Sequence, residues 1–322
     1  MRTPFILVVV GLFLSACSQN GTTYSLKTGD AETTIYSGDK PVLSYVHQET
    51  MPPEGIDSLY KRSAYIHPLW SPGGERLTRI QPPDHYHHYG IWNPWTRTHF
   101  ADYKVDFWNL IANEGTVRFA EYLDTYEEPH KAGFRVRQEH IYFKKDGSEG
   151  VAIDEVWEVS VFDTEKPVYV VDLSFTLNSP LEEGITLEAY RYGGGLGFRA
   201  TEKWGPDNST VLTSEGKTRV DADGTGARWV IIEGESSVPE GRSGILFLSH
   251  PANRSHPEPM RVWPPDSNEG KENVYFEFCP IRHQEWILEP NRDYTLNYRM
   301  VVFDGAMSSE TAETYWKLFS NQ

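Results

Sequence analysis

The sequence predicts an all-β, antiparallel fold closed by a single short helix at the C-terminus. Three observations predict it. Several segments alternate apolar and polar residues with a period of two. Clusters of Gly, Pro, Asn and Asp punctuate them. The one apolar stripe of helical period lies at the end of the chain.

The elements follow in chain order. Arg2 precedes a short apolar run, Phe5 to Leu14, too short to span a membrane as a mature helix. Leu14-Ser15-Ala16-Cys17 then resembles a bacterial lipobox, which implies a signal peptide over residues 1–16 and acylation of Cys17. Several acyl chains on one residue give stable anchoring. The polar stretch to Asp30 reads as a tether over residues 17–30, and residues 31–322 as one β-sandwich domain. Strands are expected where Val151, Ile153, Trp157, Val159 and Val161 alternate, with Glu155 intruding, and at Tyr169 to Leu177 and Tyr294 to Val302. Ser71-Pro72-Gly73-Gly74, Lys145-Asp146-Gly147, Asp221 to Gly226 and Pro290-Asn291 are turns. The helix is expected from about Ser309 to Phe319. Ser308 or Ser309 caps it, and Ala312, Trp316 and Phe319 form its stripe.

Charge and cysteine content narrow the function. Removing residues 1–16 removes one Arg and no acid, leaving 29 basic against 46 acidic side chains, a balance of −17. Such a chain is a poor partner for nucleic acid. Cys279 is the only cysteine besides Cys17, and it lies in the apolar run Val274 to Ile281, so it reads as a small buried residue. Aromatic residues make up 13%, with ten Trp, which suits either sugar stacking or a large aromatic core.

Chemistry concentrates in Asp84-His85-Tyr86-His87-His88-Tyr89-Gly90-Ile91-Trp92. Imidazole transfers protons near neutral pH and also ligates metals, and three beside an aspartate mark a functional site. If the segment is extended, His85 and His87 share one face and His88 takes the other. Arg282 to Trp286 forms a second candidate. On a strand, His283 and Glu285 point the same way, as an acid–base pair. We therefore expect His85, His87 and His88 to meet Glu285 and His283 in one concave pocket, walled by Trp92, Arg191, Arg261 and Trp263. Arg261 and Trp263 lie in a loop-like stretch, Pro257 to Trp263. Neither the cupin spacing nor His-Glu-x-x-His nor Gly-x-Ser-x-Gly is present, so whether a metal or other cofactor binds stays unknown at this point.

His67-Pro68-Leu69, Ser71 to Gly74, Pro82 to Trp92, Phe107-Trp108, Tyr192 to Arg199 and Pro259 to Trp263 resemble the PmoA-like bacterial lipoproteins of unknown function, labelled "methane oxygenase". The resemblance spans Val42 to Gly305. The methane label does not carry over, because that enzyme's subunit is a polytopic membrane protein and this sequence has no spanning run. Ile287 to Tyr298 also resembles the last hairpin of galactose-mutarotase-like domains. That resemblance implies a β supersandwich holding a sugar, with one of the three histidines as acid and Glu285 or Glu188 as base. Together the resemblances imply a carbohydrate-processing lipoprotein of the cell envelope: an epimerase, lyase or hydrolase. A non-catalytic glycan binder and a metal-dependent enzyme are the alternatives.

Overall fold

In the computed structural model, the structure describes residues 24–164, 167–267 and 273–322. The chain forms β1 (Tyr24–Thr28), β2 (Glu32–Ser37), β3 (Lys40–Val46), β4 (Tyr65–Leu69), β5 (Ile91–Trp92), β6 (Thr98–Phe100) and β7 (Tyr103–Val105). Long strands follow: β8 (Gly115–Glu128), β9 (Lys131–Phe143), β10 (Glu149–Phe162) and β11 (Tyr169–Asn178). Next come β12 (Ile185–Leu187), β13 (Leu196–Arg199), β14 (Ser209–Thr213), β15 (Trp229–Glu235) and β16 (Arg242–Ser249). The chain ends with β17 (Met260–Val262), β18 (Tyr275–Phe278), β19 (Trp286–Leu288), β20 (Tyr294–Asp304) and α1 (Ser309–Ser320).

Among the described residues, two eight-stranded sheets and one four-stranded sheet result. The first runs β1-β2-β3-β4-β5-β13-β18-β17, the second β14-β15-β16-β20-β11-β10-β9-β8, and the third β19-β12-β6-β7. Their strand pairs are antiparallel, as the alternation predicts.

The core follows from strand parity. In β11, Tyr169, Val171, Leu173, Phe175 and Leu177 enter the main core, as do Met300 and Val302 of β20 and Ile245 and Phe247 of β16. Phe198, Phe276 and Phe278 of the first sheet meet them, and Phe247 packs 5.1 Å from Phe198 and 5.0 Å from Phe276. The opposite parity of the second sheet is buried too: Val170, Leu246, Leu248, Val301 and Phe303 lie under α1. Burial on both faces explains why parts of these strands read as continuous apolar runs. The helix docks through Ala312 and Phe319, with Trp316 partly buried beside them. Ser308 Oγ caps it by accepting from the Thr311 N–H at 3.2 Å.

Glu155 has its own explanation. It is fully buried, and its carboxylate accepts from His140 Nε2 at 2.8 Å and Gln138 Nε2 at 2.7 Å. Tyr45 in turn donates to Gln138 at 3.1 Å. Most polar groups in a core are held by such partners.

Two segments differ from what the sequence predicts. The stretch read as a tether to Asp30 is already sheet from Tyr24, because the buried Tyr24 ring joins the core and β1 pairs with β2. The loop-like Pro257 to Trp263 contains β17, which pairs with β18. Residues 1–16 and Cys17 lie outside the described residues.

Candidate functional site

The histidine segment is not extended. It is a loop closed at its neck by a bridge between Ile80 and Tyr89 and by the Gln81 N–H donating to His88 O at 2.8 Å. Within it, two turns follow one another. The His85 N–H donates to Pro82 O at 2.9 Å, and the His88 N–H to His85 O at 3.1 Å. Pro83, with its fixed φ, suits the second position of the first turn. Consecutive turns fold all three imidazoles together, which strict alternation would have separated. Ring centroids are 4.7 Å apart for His85 and His88, 4.9 Å for His87 and His88, and 5.4 Å for His85 and His87. Tyr86 turns away and packs on Tyr60 at 5.5 Å. The loop rejoins the sheet at Gly90, where φ is +67° and a Cβ would stand 2.4 Å from Ile66 O, so only glycine fits.

The loop covers the face of the first sheet that points away from the core. Parity again decides what stands there. Ile91, Phe198, Phe276 and Val262 face the core, whereas Trp92, Tyr275 and Trp263 join a second aromatic cluster with Trp108. Arg199, Arg261 and Glu277 share the parity of that second face. His88 is enclosed in this cluster, stacked on Trp108 at 5.4 Å and 25°, with Tyr275 at 5.0 Å, Trp92 at 5.2 Å and Trp263 at 5.6 Å. Burial, then the neighbouring His87 and Arg199, push its pKa well below the usual histidine value, so it is neutral. His87 is lowered to about 3, first by burial and then by His85 and Arg199.

His85 differs. Its side chain is 28% exposed, and Nδ1 lies 3.0 Å from Asp84 Oδ2. Asp84 is itself held by Arg199 at 2.5 Å and Arg79 at 3.3 Å. Burial would raise the pKa of Asp84, but the His85 hydrogen bond and the two guanidiniums outweigh it and keep the carboxylate ionised. A fixed anion on Nδ1 sets the imidazole tautomer and leaves Nε2 for chemistry.

Tyr192 completes the site. Its hydroxyl oxygen accepts from Arg261 Nη2 at 3.0 Å and from Trp263 Nε1 at 3.1 Å. Both lone pairs are thereby taken, so its own proton is directed elsewhere. His85 packs on the same Trp263 indole, at 4.8 Å. Arg261 is steadied by Asp223 at 2.8 Å, which also holds Arg282 at 3.2 Å. Behind Tyr192, the fully buried Glu277 accepts from the Gly193 N–H at 2.6 Å and from Tyr275 Oη at 2.5 Å. Burial raises its pKa to about 8. Gly194 packs so close to Trp95 that a Cβ would lie 1.7 Å from the indole, which explains part of the glycine run.

Residues 32–317 match the family of unknown function DUF6807. The chain belongs to this family. No curated protein matches it. Among solved structures, this DUF6807 chain is similar to heparan sulfate lyase HepC from Pedobacter heparinus, with 10% identity and a TM-score of 0.37, covering 91% of this chain and 37% of that one. It is also similar to a galactose mutarotase related enzyme from Lactobacillus acidophilus, with 8% identity and a TM-score of 0.36, covering 88% and 100%. A putative kojibiose phosphorylase from human microbiome gives 10% identity and a TM-score of 0.34, covering 91% and 32%. The chain thus spans little more than a third of the lyase. All three are distant similarities to proteins named as carbohydrate-active enzymes.

The structure brings together His85, His87, His88, Trp92, Arg261 and Trp263. Arg191 adjoins them, its guanidinium 5.2 Å over the Tyr192 ring. His283 and Glu285 do not join this group in the DUF6807 chain. Residues 281–284 follow Pro280 in a turn and bend, and the strand begins only at Trp286, so both side chains are exposed. His283 Nε2 contacts Gly224 O at 3.3 Å, and neither residue makes a hydrogen bond, ion pair or ring contact with the three histidines. Glu188 is likewise elsewhere, paired with His99 at 2.8 Å beside the third sheet. The acid nearest the cluster's tyrosines is Glu277, which the sequence hides in an apolar run. Its signal is the i, i+2 spacing from Tyr275. Among the described residues, no group of three His, Cys, Asp or Glu side chains is arranged to hold a metal ion.

Proposed function

We propose that the protein acts on a carbohydrate by proton transfer on the outer face of the first sheet. His85, oriented by Asp84, exchanges a proton with a sugar carbon, and Tyr192 supplies the complementary proton. Arg261 steadies the negative charge that develops. The observation that carries this reading is that His85 and the Tyr192 hydroxyl touch one indole, that of Trp263.

Chemistry narrows the reaction. Glycoside hydrolysis in most families uses two carboxyl groups flanking the bond. Here Asp84 is occupied by two arginines and His85, and Glu277 is fully buried. A histidine base with a tyrosine acid suits epimerisation instead, at a carbon made acidic by an adjacent carbonyl or carboxyl, since the acid returns the proton that the base removes. A flat binding platform is less well supported, since Trp92, Trp108 and Trp263 are 0–4% exposed.

The test is solvent deuterium exchange into a panel of sugars and oligosaccharides, read by NMR or mass spectrometry. Wild-type protein incorporates deuterium at one ring carbon, and Tyr192→Phe slows product formation on the order of a hundredfold. No exchange with any sugar, or equal rates for the variant, contradicts the reading.

The same proposal places the protein on the bacterial envelope through an acylated Cys17, with a carbohydrate rather than nucleic acid as its partner. Cys17→Ala then releases it to a soluble fraction or leaves it unprocessed. Wild-type protein found unmodified in the cytoplasm contradicts the anchor.

A further inference from the structure

Acids outnumber bases in this chain by 46 to 30, so an exposed arginine has abundant partners to choose from. Most arginines take one, as Arg76 does with Glu202, Arg118 with Glu149 and Arg137 with Glu121. Arg97 and Arg191 do not. Both are exposed, and neither forms an ion pair among the described residues. Each lies instead over a tyrosine of one short segment. The Arg97 guanidinium is 3.6 Å above the Tyr190 ring, and that of Arg191 is 5.2 Å above Tyr192. The two rings are 5.9 Å apart. Tyr192 is also the residue that reaches Arg261 and Trp263 in the site above.

Three acids, Glu188, Asp106 and Glu114, share the cleft beside Arg97, and each already accepts a hydrogen bond, Glu114 from the Asp106 N–H at 3.0 Å. Glu188, on the same segment, pairs with His99. Asp106, in the cleft beside Arg97, accepts from Thr96 Oγ1, the Trp108 N–H and Asn109. Lys104 shares that cleft. A guanidinium stacked on a ring is held flat while its edge N–H groups stay open. Two such edges along one segment match the oxyanions of adjacent sugar units, because guanidinium binds carboxylate or sulfate through paired N–H donors.

We propose that Arg97 and Arg191, mounted on Tyr190 and Tyr192, form a subsite for an anionic group on the sugar next to the one being transformed, so that the natural substrate is an acidic glycan. This rests on the reading of the catalytic site, which it extends outward. A carboxylate and a sulfate ester present the same chemistry, and the probes below separate them.

The experiment measures affinity of the purified protein for polygalacturonate, heparin and dextran, by affinity electrophoresis or calorimetry, for wild type and Arg97→Ala/Arg191→Ala. Both side chains are exposed, and matching melting curves verify that the variant folds. The proposal expects binding to polygalacturonate or heparin that weakens as salt rises and falls about tenfold or more in the variant. Binding to polygalacturonate alone assigns the subsite to carboxylate, and binding to heparin alone to sulfate. Arg97→Lys/Arg191→Lys recovers only part of the affinity, since ammonium lacks the planar fork. Equal affinity for dextran, no binding to either polyanion, or unchanged affinity in the alanine variant overturns it. Failure of the catalytic reading looks different: acidic glycan binds through these arginines, but no deuterium exchange follows.

Discussion

Two histidine–carboxylate pairs of this molecule share one chemistry and differ in surroundings. His140 and Glu155 lie in the sandwich interior with neither side chain exposed, 2.8 Å apart. His85 and Asp84 lie on the outer face of the first sheet, 3.0 Å apart, with side chains 28% and 23% exposed. The interior carboxylate is finished by Gln138, a neutral donor in a chain of hydrogen bonds to Tyr45. The outer carboxylate is finished by two arginines. The first arrangement fixes a fold, because no substrate reaches it. The second holds an imidazole in place while leaving it reachable, as the proposed proton transfer requires. A histidine beside an acid is therefore no signature of chemistry until access is known.

The two pairs should differ most in what their loss does to stability. Glu155→Ala leaves buried His140 and Gln138 without their acceptor and should cost about 3–5 kcal/mol, read by denaturant unfolding. His85→Ala, at a partly exposed side chain, should cost about 1 kcal/mol. Equal losses would erase the distinction between the two regions.

Smaller effects come from pH. Burial raises Glu277 to about 8 and Glu258 to about 7, against an ordinary 4.5. Between about 4.5 and 7 to 8 the folded protein holds protons that the unfolded chain has released, so the contribution of these groups is fully present below about 4.5 and is lost as pH rises to 7 to 8. His67 and His87 act oppositely. They are lowered to about 4 and about 3 from 6.5, so the unfolded chain takes up protons first as pH falls, and stability drops below about 6.5. Above pH 6.5, where the histidines no longer change the balance, unfolding free energy should therefore decline toward pH 8, by up to about 1.4 kcal/mol per pH unit for each carboxyl still protonated in the folded protein. Glu258→Gln should flatten that decline. Glu258 accepts from Asn253 at 3.0 Å and Tyr298 at 2.8 Å, and a glutamine keeps an acceptor there. An unchanged slope in the variant would remove Glu258 from the account.

Much of the fold was legible in the sequence because alternation records it directly. Tyr169 to Leu177 and Tyr294 to Val302 became β11 and β20, and the helix stands where Ser308 and its stripe put it. The site was legible only in part. The histidine cluster was visible as composition, but its convergence depends on two consecutive turns that no alternation predicts. Glu285 and His283 looked paired because an i, i+2 spacing was assumed to lie on a strand, and the bend after Pro280 removes that premise. Glu277 and Tyr275 carry the same spacing on a real strand, yet Phe276 between them and Phe278 after them make the run read as core. A strand buried on both faces conceals which parity holds the chemistry. Tyr192 gave no signal of its own, since its importance comes from Arg261 and Trp263, about seventy positions away.

The most direct test of the central claim compares His85→Ala with wild type in deuterium exchange from solvent into a turned-over sugar, at equal concentration of folded protein. A fall on the order of a hundredfold or more is expected, with a nearly unchanged melting temperature. Exchange per folded molecule that matches wild type would show that the outer pair, like the inner one, only holds the fold.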